Sequence, residues 1–174
     1  MAVPSVMQHK FSRVPKAEIP RSSFDRSHGH KTTFDAGYLV PIYVDEALPG
    51  DTFNLRMTGF ARMATPIKPI MDNLYMETFF FAVPNRLLWD NWEAFITTGD
   101  LDSPYIVPNL RLTPGATVAN DIYDYMGIPI HANGANVVNT LHFRAYNLIW
   151  NEWFRDQNLQ EEAAVRTGDV DDSI

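Results

Sequence analysis

The chain has no cysteine among its 174 residues. That excludes disulfides, thiolate chemistry and every zinc site built on cysteine. No run of about 18 apolar residues is present to span a bilayer as a helix. The first residues, MAVPSVMQHKF, lack the apolar core of a secretory signal. A soluble chain without a cleavable leader is expected. Nucleotide-binding glycine patterns are missing too: there is no G-x-G-x-x-G and no P-loop, and no serine stands in a G-x-S-x-G setting.

What is present is apolar and aromatic. Hydrophobic residues make up 45% and aromatics 13%, too many for a chain disordered throughout. Charge is unevenly spread. Lys10, Arg13, Lys16, Arg21, Arg26 and Lys31 face only Glu18 and Asp25, so residues 1–31 are net +4 within a chain of net −7, and the remainder is −11. Pro4, Pro15 and Pro20 remove backbone donors from the same stretch. Residues 1–31 therefore read as an extended basic arm before an acidic body.

Three strand-like runs follow. Residues 38–44 (YLVPIYV) contain Pro41, which places them at a sheet edge or bulge. Leu48, Pro49, Gly50 and Asp51 form a type II turn signal. From Thr52 to Met63 apolar and polar residues alternate, with Phe53, Leu55, Met57, Ala61 and Met63 on one side. Period two of this length predicts a half-buried strand, with a bulge near Gly59. Residues 74–83 (LYMETFFFAV) are apolar on both faces, which predicts a strand covered on both sides. Glu77 within it is expected to be a buried acid paired with Arg56, Arg62 or backbone. A further short strand is expected at 105–107.

Two helices carry the remaining apolar residues. Asn85 is placed as N-cap of a helix over 86–96, where Leu88, Trp92 and Phe95 recur with Trp89 and Ile96 beside them. A loop-rich stretch with a short helix near 118–126 comes next. Asn139 then opens a second helix, LHFRAYNLIWNEWFRDQNL, whose stripe is Phe143, Tyr146, Trp150, Trp153 and Phe154. From Gln160 the chain is polar and acidic and is expected to be a mobile tail. Domain organisation is read as a basic arm over 1–31, a main region over 32–159 with helical insertions near 86–96 and 140–158, and the tail over 160–174.

Few residues suggest chemistry. Asp25, His28 and His30 have a metal-like spacing, but His9, His131 and His142 are the only other imidazoles, and the ligand set is incomplete. Asp100 and Asp102 begin like a calcium loop, yet its sixth-position glycine and terminal glutamate are missing. No metal, cofactor or catalytic residue is assigned. The cations of the arm, interleaved with Phe11 and Phe24, could hold single-stranded nucleic acid by charge and stacking, or could tie neighbouring subunits together, and the two roles are compatible. Phe79, Phe81, Trp89, Trp92, Trp150 and Trp153 are the expected core or assembly aromatics.

Taken together, FDAGYLVPIYVDEALPGDTF, TPIKPIMDNLYMETFFFAVPNRLLWDNWEAF and LHFRAYNLIWNEWFRDQNL resemble the major capsid proteins of the Microviridae, closest to the gokushovirus branch. The resemblance covers nearly the whole chain. It implies a mainly β fold with helical insertions, a viral jelly-roll β-sandwich of which only the N-terminal strands and insertions are present here. It implies a structural protein of the virion, without enzymatic activity or cofactor, assembled in the bacterial cytoplasm into a small T=1 icosahedral shell. Its partners would be other copies of itself and a single-stranded DNA genome reached through the arm. A small internal DNA-binding protein would be a further partner, and no membrane is involved. Members of that family are much longer than this chain, so it is expected to be one part of a larger protein or to be ordered only against other chains. A β-sandwich module binding carbohydrate or a host-surface ligand is the alternative, distinguished by an exposed aromatic platform that meets no other subunit.

Overall fold

Leu88 and Trp89 are the apolar residues around which the body of the chain organises; both are fully buried, although neither lies in a regular helix. A computed structural model describes residues 18–97, 105–112, 117–130 and 137–173. The chain divides into two units, Met1–Lys31 and Thr32–Ile174.

In the first unit, residues 18–31 contain neither helix nor strand. Asp25 accepts from the Ser27 backbone N–H at 2.9 Å and from the Ser27 hydroxyl at 2.5 Å, forming a local turn. His28 Nδ1 donates to the Arg26 carbonyl at 2.9 Å.

The second unit combines short helices with one small sheet. Strand β1 (Asn109–Arg111) pairs antiparallel with β2 (Val137–Asn139), placing Leu110 opposite Val138. Strand β3 (Asp172–Ser173) runs parallel to β1 on its other side, with Asp172 opposite Leu110. Beneath the sheet Leu110, Leu112 and Ile128 form one apolar cluster with Tyr123, Val138 and Phe143 against it. Helix α2 (Ile122–Tyr125) brings Tyr123 there, its first N–H capped by the Asp121 carboxylate at 2.6 Å, and Gly127 at φ +91° turns the chain away afterwards. It is shorter than the helix expected near 118–126.

The second cluster joins Leu88, Trp89 and Leu141 with Val83, Trp92, Val107, Ala145 and Leu148. Here the single helix expected over 86–96 divides. Asn85–Leu87 is one 3₁₀ turn with Pro84 in the cap position, so Asn85 is not an N-cap; α1 starts only at Trp92 and ends at Thr97. The break has a tertiary cause. Leu88 and Trp89 turn inward, and the freed N–H of Asp90 donates to the Thr167 carbonyl at 2.9 Å. Helix α3 (Leu141–Ile149) begins where Asn139 promised: its carboxamide oxygen accepts from Leu141 N at 2.8 Å. It continues as one π turn over Trp150–Phe154, closed by Arg155 N–H on the Trp150 carbonyl at 2.8 Å.

Other expectations are corrected. The runs 38–44, 52–63 and 74–83 form no hydrogen-bonded ladder, and neither does 105–107, where the strand starts later, at Asn109. Their side chains are mostly exposed, so the half-buried face of 52–63 and the two-sided cover of 74–83 do not occur among the described residues. A strand requires a partner backbone, and none of these runs meets one here. Glu77 is exposed rather than buried. The turn between the first two runs does form: Asp51 N–H donates to the Leu48 carbonyl at 3.0 Å, and Gly50 takes φ +87°, the value a type II turn needs. The acidic tail, expected to be mobile, is bonded to the body from Ala163 to Asp172. No helix among the described residues is long and apolar enough to cross a membrane.

Candidate assembly surface and a returning strap

Thr140, Arg144, Asn147 and Asn151 are spaced by four, three and four residues, so they share one face of α3 and its π turn. That face grips the returning segment 163–172, which acts as a strap. Asn151 pairs with both backbone groups of Ala163, donating through Nδ2 at 2.8 Å and accepting through Oδ1 at 2.9 Å. Asn147 donates to the Ala164 carbonyl at 3.1 Å. Arg144 reaches furthest: Nη1 donates to the carbonyls of Leu88 and Gly168, both at 3.1 Å, Nη2 to Val170 at 3.2 Å, and Nε to Asp172 at 2.9 Å. The Thr140 hydroxyl donates to the same Asp172 oxygen. Arg144 is only 2% exposed, so its charge is tolerated because carboxylate and carbonyls replace water around the guanidinium.

The strap holds the body in return. Asp169 accepts from the Trp89 indole N–H at 2.6 Å and from Asn91 Nδ2 at 2.7 Å. Asp171 accepts from Arg111 Nε at 2.7 Å and from the Asn109 N–H at 3.0 Å. The Trp89 bond, then that of Asn91, holds the Asp169 carboxyl below its ordinary 3.8; the Arg111 and Asn109 bonds do the same for Asp171. Both groups bind protons less readily folded than unfolded. Their contribution is complete above the unfolded value and is lost as pH falls through the lowered folded ones. The urea midpoint is therefore expected to hold steady down to about pH 5 as far as these groups are concerned, and to fall below about pH 4. Asp169→Asn should flatten that fall. A midpoint whose acid dependence is unchanged in Asp169→Asn would dismiss the assignment.

Apart from the strap, the body carries an apolar wall. Phe53, Leu55, Met57 and Met63 are exposed, as are Leu74, Met76, Phe79 and Phe80. The two segments come together at Gly59, where an added Cβ would lie 3.1 Å from the Met76 methyl. The π turn sends Trp153 and Phe154 to the same place. Phe154 meets Phe79 and Phe81 edge-on at 5.4 and 6.1 Å, and Trp153 tilts against Phe81 at 5.7 Å. Trp153 remains 73% exposed.

The aromatics singled out in the sequence thus separate into two groups. Phe79, Phe81 and Trp153 gather on the exposed wall, whereas Trp89 is buried and meets the half-buried Trp92 and the exposed Phe95 in edge-on and tilted contacts, at centroid distances of 5.4–6.4 Å. Trp150 is half-buried at the start of the π turn. Arg21, Arg26 and Lys31 are exposed on the arm, while Lys10, Arg13 and Lys16 lie outside the described residues, as do His9, His131, Asp100 and Asp102. Among the described residues no group of histidines and acids is arranged to hold a metal ion; His142 instead meets Glu46 at 3.3 Å. The strap and its polar rail escaped the reading of the sequence. The signal for them was the spacing of Thr140, Arg144, Asn147 and Asn151 between the aromatic positions.

The body thus carries a buried polar clamp and an exposed aromatic wall. Residues 12–173 match the family described as Capsid protein (F protein), and the chain belongs to that family. It is 54% identical to the capsid protein VP1 of Chlamydia phage 1 across 99% of this chain and 30% of that protein. For capsid protein VP1 of Bdellovibrio phage phiMH2K the identity is 46% across 95% of the chain and 32% of the relative, and for that of Spiroplasma virus 4 it is 35% across 90% and 29%. The chain spans about a third of the length of these relatives. The resemblance to Microviridae capsid proteins drawn from the sequence holds.

Proposed function

We propose that this chain forms part of the wall of a bacteriophage capsid, a structural rather than catalytic role performed in the virion. The observation that carries the reading is the apolar wall, where 53–63 and 74–81 have strand-like sequences and exposed side chains but no ladder. In a jelly roll two sheets cover each other, and these runs would gain their partner strands from the rest of a longer capsid polypeptide or from neighbouring copies. Obligate assembly interfaces are large and apolar, in keeping with Phe79, Phe81 and Trp153 together on one surface. The arm, with Lys10, Arg13, Lys16, Arg21, Arg26 and Lys31, would lie along the inside of the shell against neighbouring copies or single-stranded DNA.

The wall is tested by a triple substitution, Phe53→Ser, Leu55→Ser and Met57→Ser. Because these side chains are exposed, the denaturation midpoint should move little, by about 0.5 kcal/mol per site at most. Particle formation, read by sedimentation, should be abolished. Normal particles from the triple variant would refute the reading. Loss of binding to a carbohydrate or host-surface ligand, with no effect on self-association, would point instead to a binding module.

A further inference from the structure

No residue of the strap belongs to either apolar cluster; both are complete with residues up to Leu148. The strap is held through its backbone by Asn151, Asn147 and Arg144, and through its carboxylates by Trp89, Asn91, Asn109, Arg111, Thr140 and Arg144. A two-residue parallel ladder adds it to one edge of the sheet. This is how a protein binds an extended peptide: backbone bonds supply affinity and a few side chains supply selectivity. The peptide is joined to its receptor by the exposed turn at 156–160, which is held only by local bonds such as Gln160 N–H to the Asp156 carbonyl at 2.9 Å.

We propose that the face of α3 lined by Thr140, Arg144, Asn147 and Asn151 is an acceptor site for an extended acidic segment, and that in the assembled protein it takes residues 163–172 of a second copy. The ligand chemistry is specific. A partner must place carboxylates at the positions of Asp169, Asp171 and Asp172 to satisfy the Trp89 indole, Arg111 and buried Arg144, and a second copy carries all three in the same register. Exchange keeps every contact between strap and acceptor face, since each face is refilled by an identical strap, and gives up only the local bonds of the turn at 156–160, which must straighten. In dilute solution the tethered strap wins through its high effective concentration. Where copies are crowded, as the proposed shell role requires, that advantage disappears. The inference rests on the shell reading only for this crowding.

The absence of cysteine permits a direct test. Asp90 and Thr167 join body and strap at the surface by a backbone bond of 2.9 Å and a side-chain bond of 3.0 Å, so cysteines there would be close enough to couple. Neither residue belongs to the rail. Full chains carrying only Asp90→Cys or only Thr167→Cys are mixed in the unfolded state, refolded together, concentrated under assembly conditions and oxidised. Exchange predicts a disulfide-linked dimer containing one of each variant, about tenfold or more above the homodimers that report chance encounters. If mixed chains give no more dimer than either alone, while a chain carrying both cysteines closes fully within itself, the strap is permanently its own and the proposal is overturned. Particle counts by microscopy on the same samples separate this from the shell reading: particles with internal links only would overturn exchange and leave the shell role standing.

Discussion

Replacing Arg144 with alanine should cost about 3–5 kcal/mol of stability, the range for removing one partner of a buried ion pair. The loss comes less from the pair than from what remains. Asp172 is left half-buried without its guanidinium donor, and the carbonyls of Leu88, Gly168 and Val170 lose their shared donor. The strap should then detach, and its backbone at Arg166, whose side chain is already exposed, should be cleaved faster by trypsin. A double variant, Arg144→Met with Asp172→Asn, should regain part of the loss because neither residue is then an uncompensated charge. Guanidinium midpoints for wild type, single and double variants decide the matter. A single variant within about 1 kcal/mol of wild type would mean that Arg144 is not the hub described.

Trp89→Ala should be of similar size, about 3–5 kcal/mol, for a different reason. Trp89 is wholly buried between Leu88, Trp92 and Phe95, and its removal leaves a cavity that the short elements around it cannot close. It also takes the indole donor from Asp169. Trp89→Phe separates the two effects: it preserves most of the ring contacts, and since Asp169 is exposed, water can replace the lost donor, so a cost of about 1 kcal/mol is expected. Trp153→Ala provides the contrast. With that ring largely in solvent, stability should change by about 0.5 kcal/mol or less while assembly fails. If Trp153→Ala proved as destabilising as Trp89→Ala, the division between interior and wall would be wrong.

Features encoded by neighbouring residues were legible from sequence. Pro49 and Gly50 announced the turn that closes at Asp51, and Asn139 marked the start of α3. The strands at 38–44, 52–63 and 74–83 were legible only as sequence patterns. Alternation states which face a strand would bury, but pairing depends on a second backbone that these runs do not meet here. The helix over 86–96 was overridden by tertiary contacts, because burying Leu88 and Trp89 together with the Asp90–Thr167 bond outweighs two turns of local helix. The strap was hidden for a related reason. Asp169, Asp171 and Asp172 look like a solvated acidic tail, but their donors, Trp89, Asn91, Arg111 and Arg144, lie 28 to 80 residues away. Local periodicity does not register pairing over such distances. The family itself was legible, since long stretches such as LYMETFFFAVPNRLLWDNWEAF resemble it as a whole.

The role of the wall is tested most directly by electron microscopy of the protein purified from producing cells. The account predicts closed icosahedral particles containing this chain, with 53–63 and 74–81 buried against other strands and the rings of Phe79, Phe81 and Trp153 no longer in solvent. Dispersed single copies with those segments still facing water, under conditions where the protein is folded and concentrated, would contradict it.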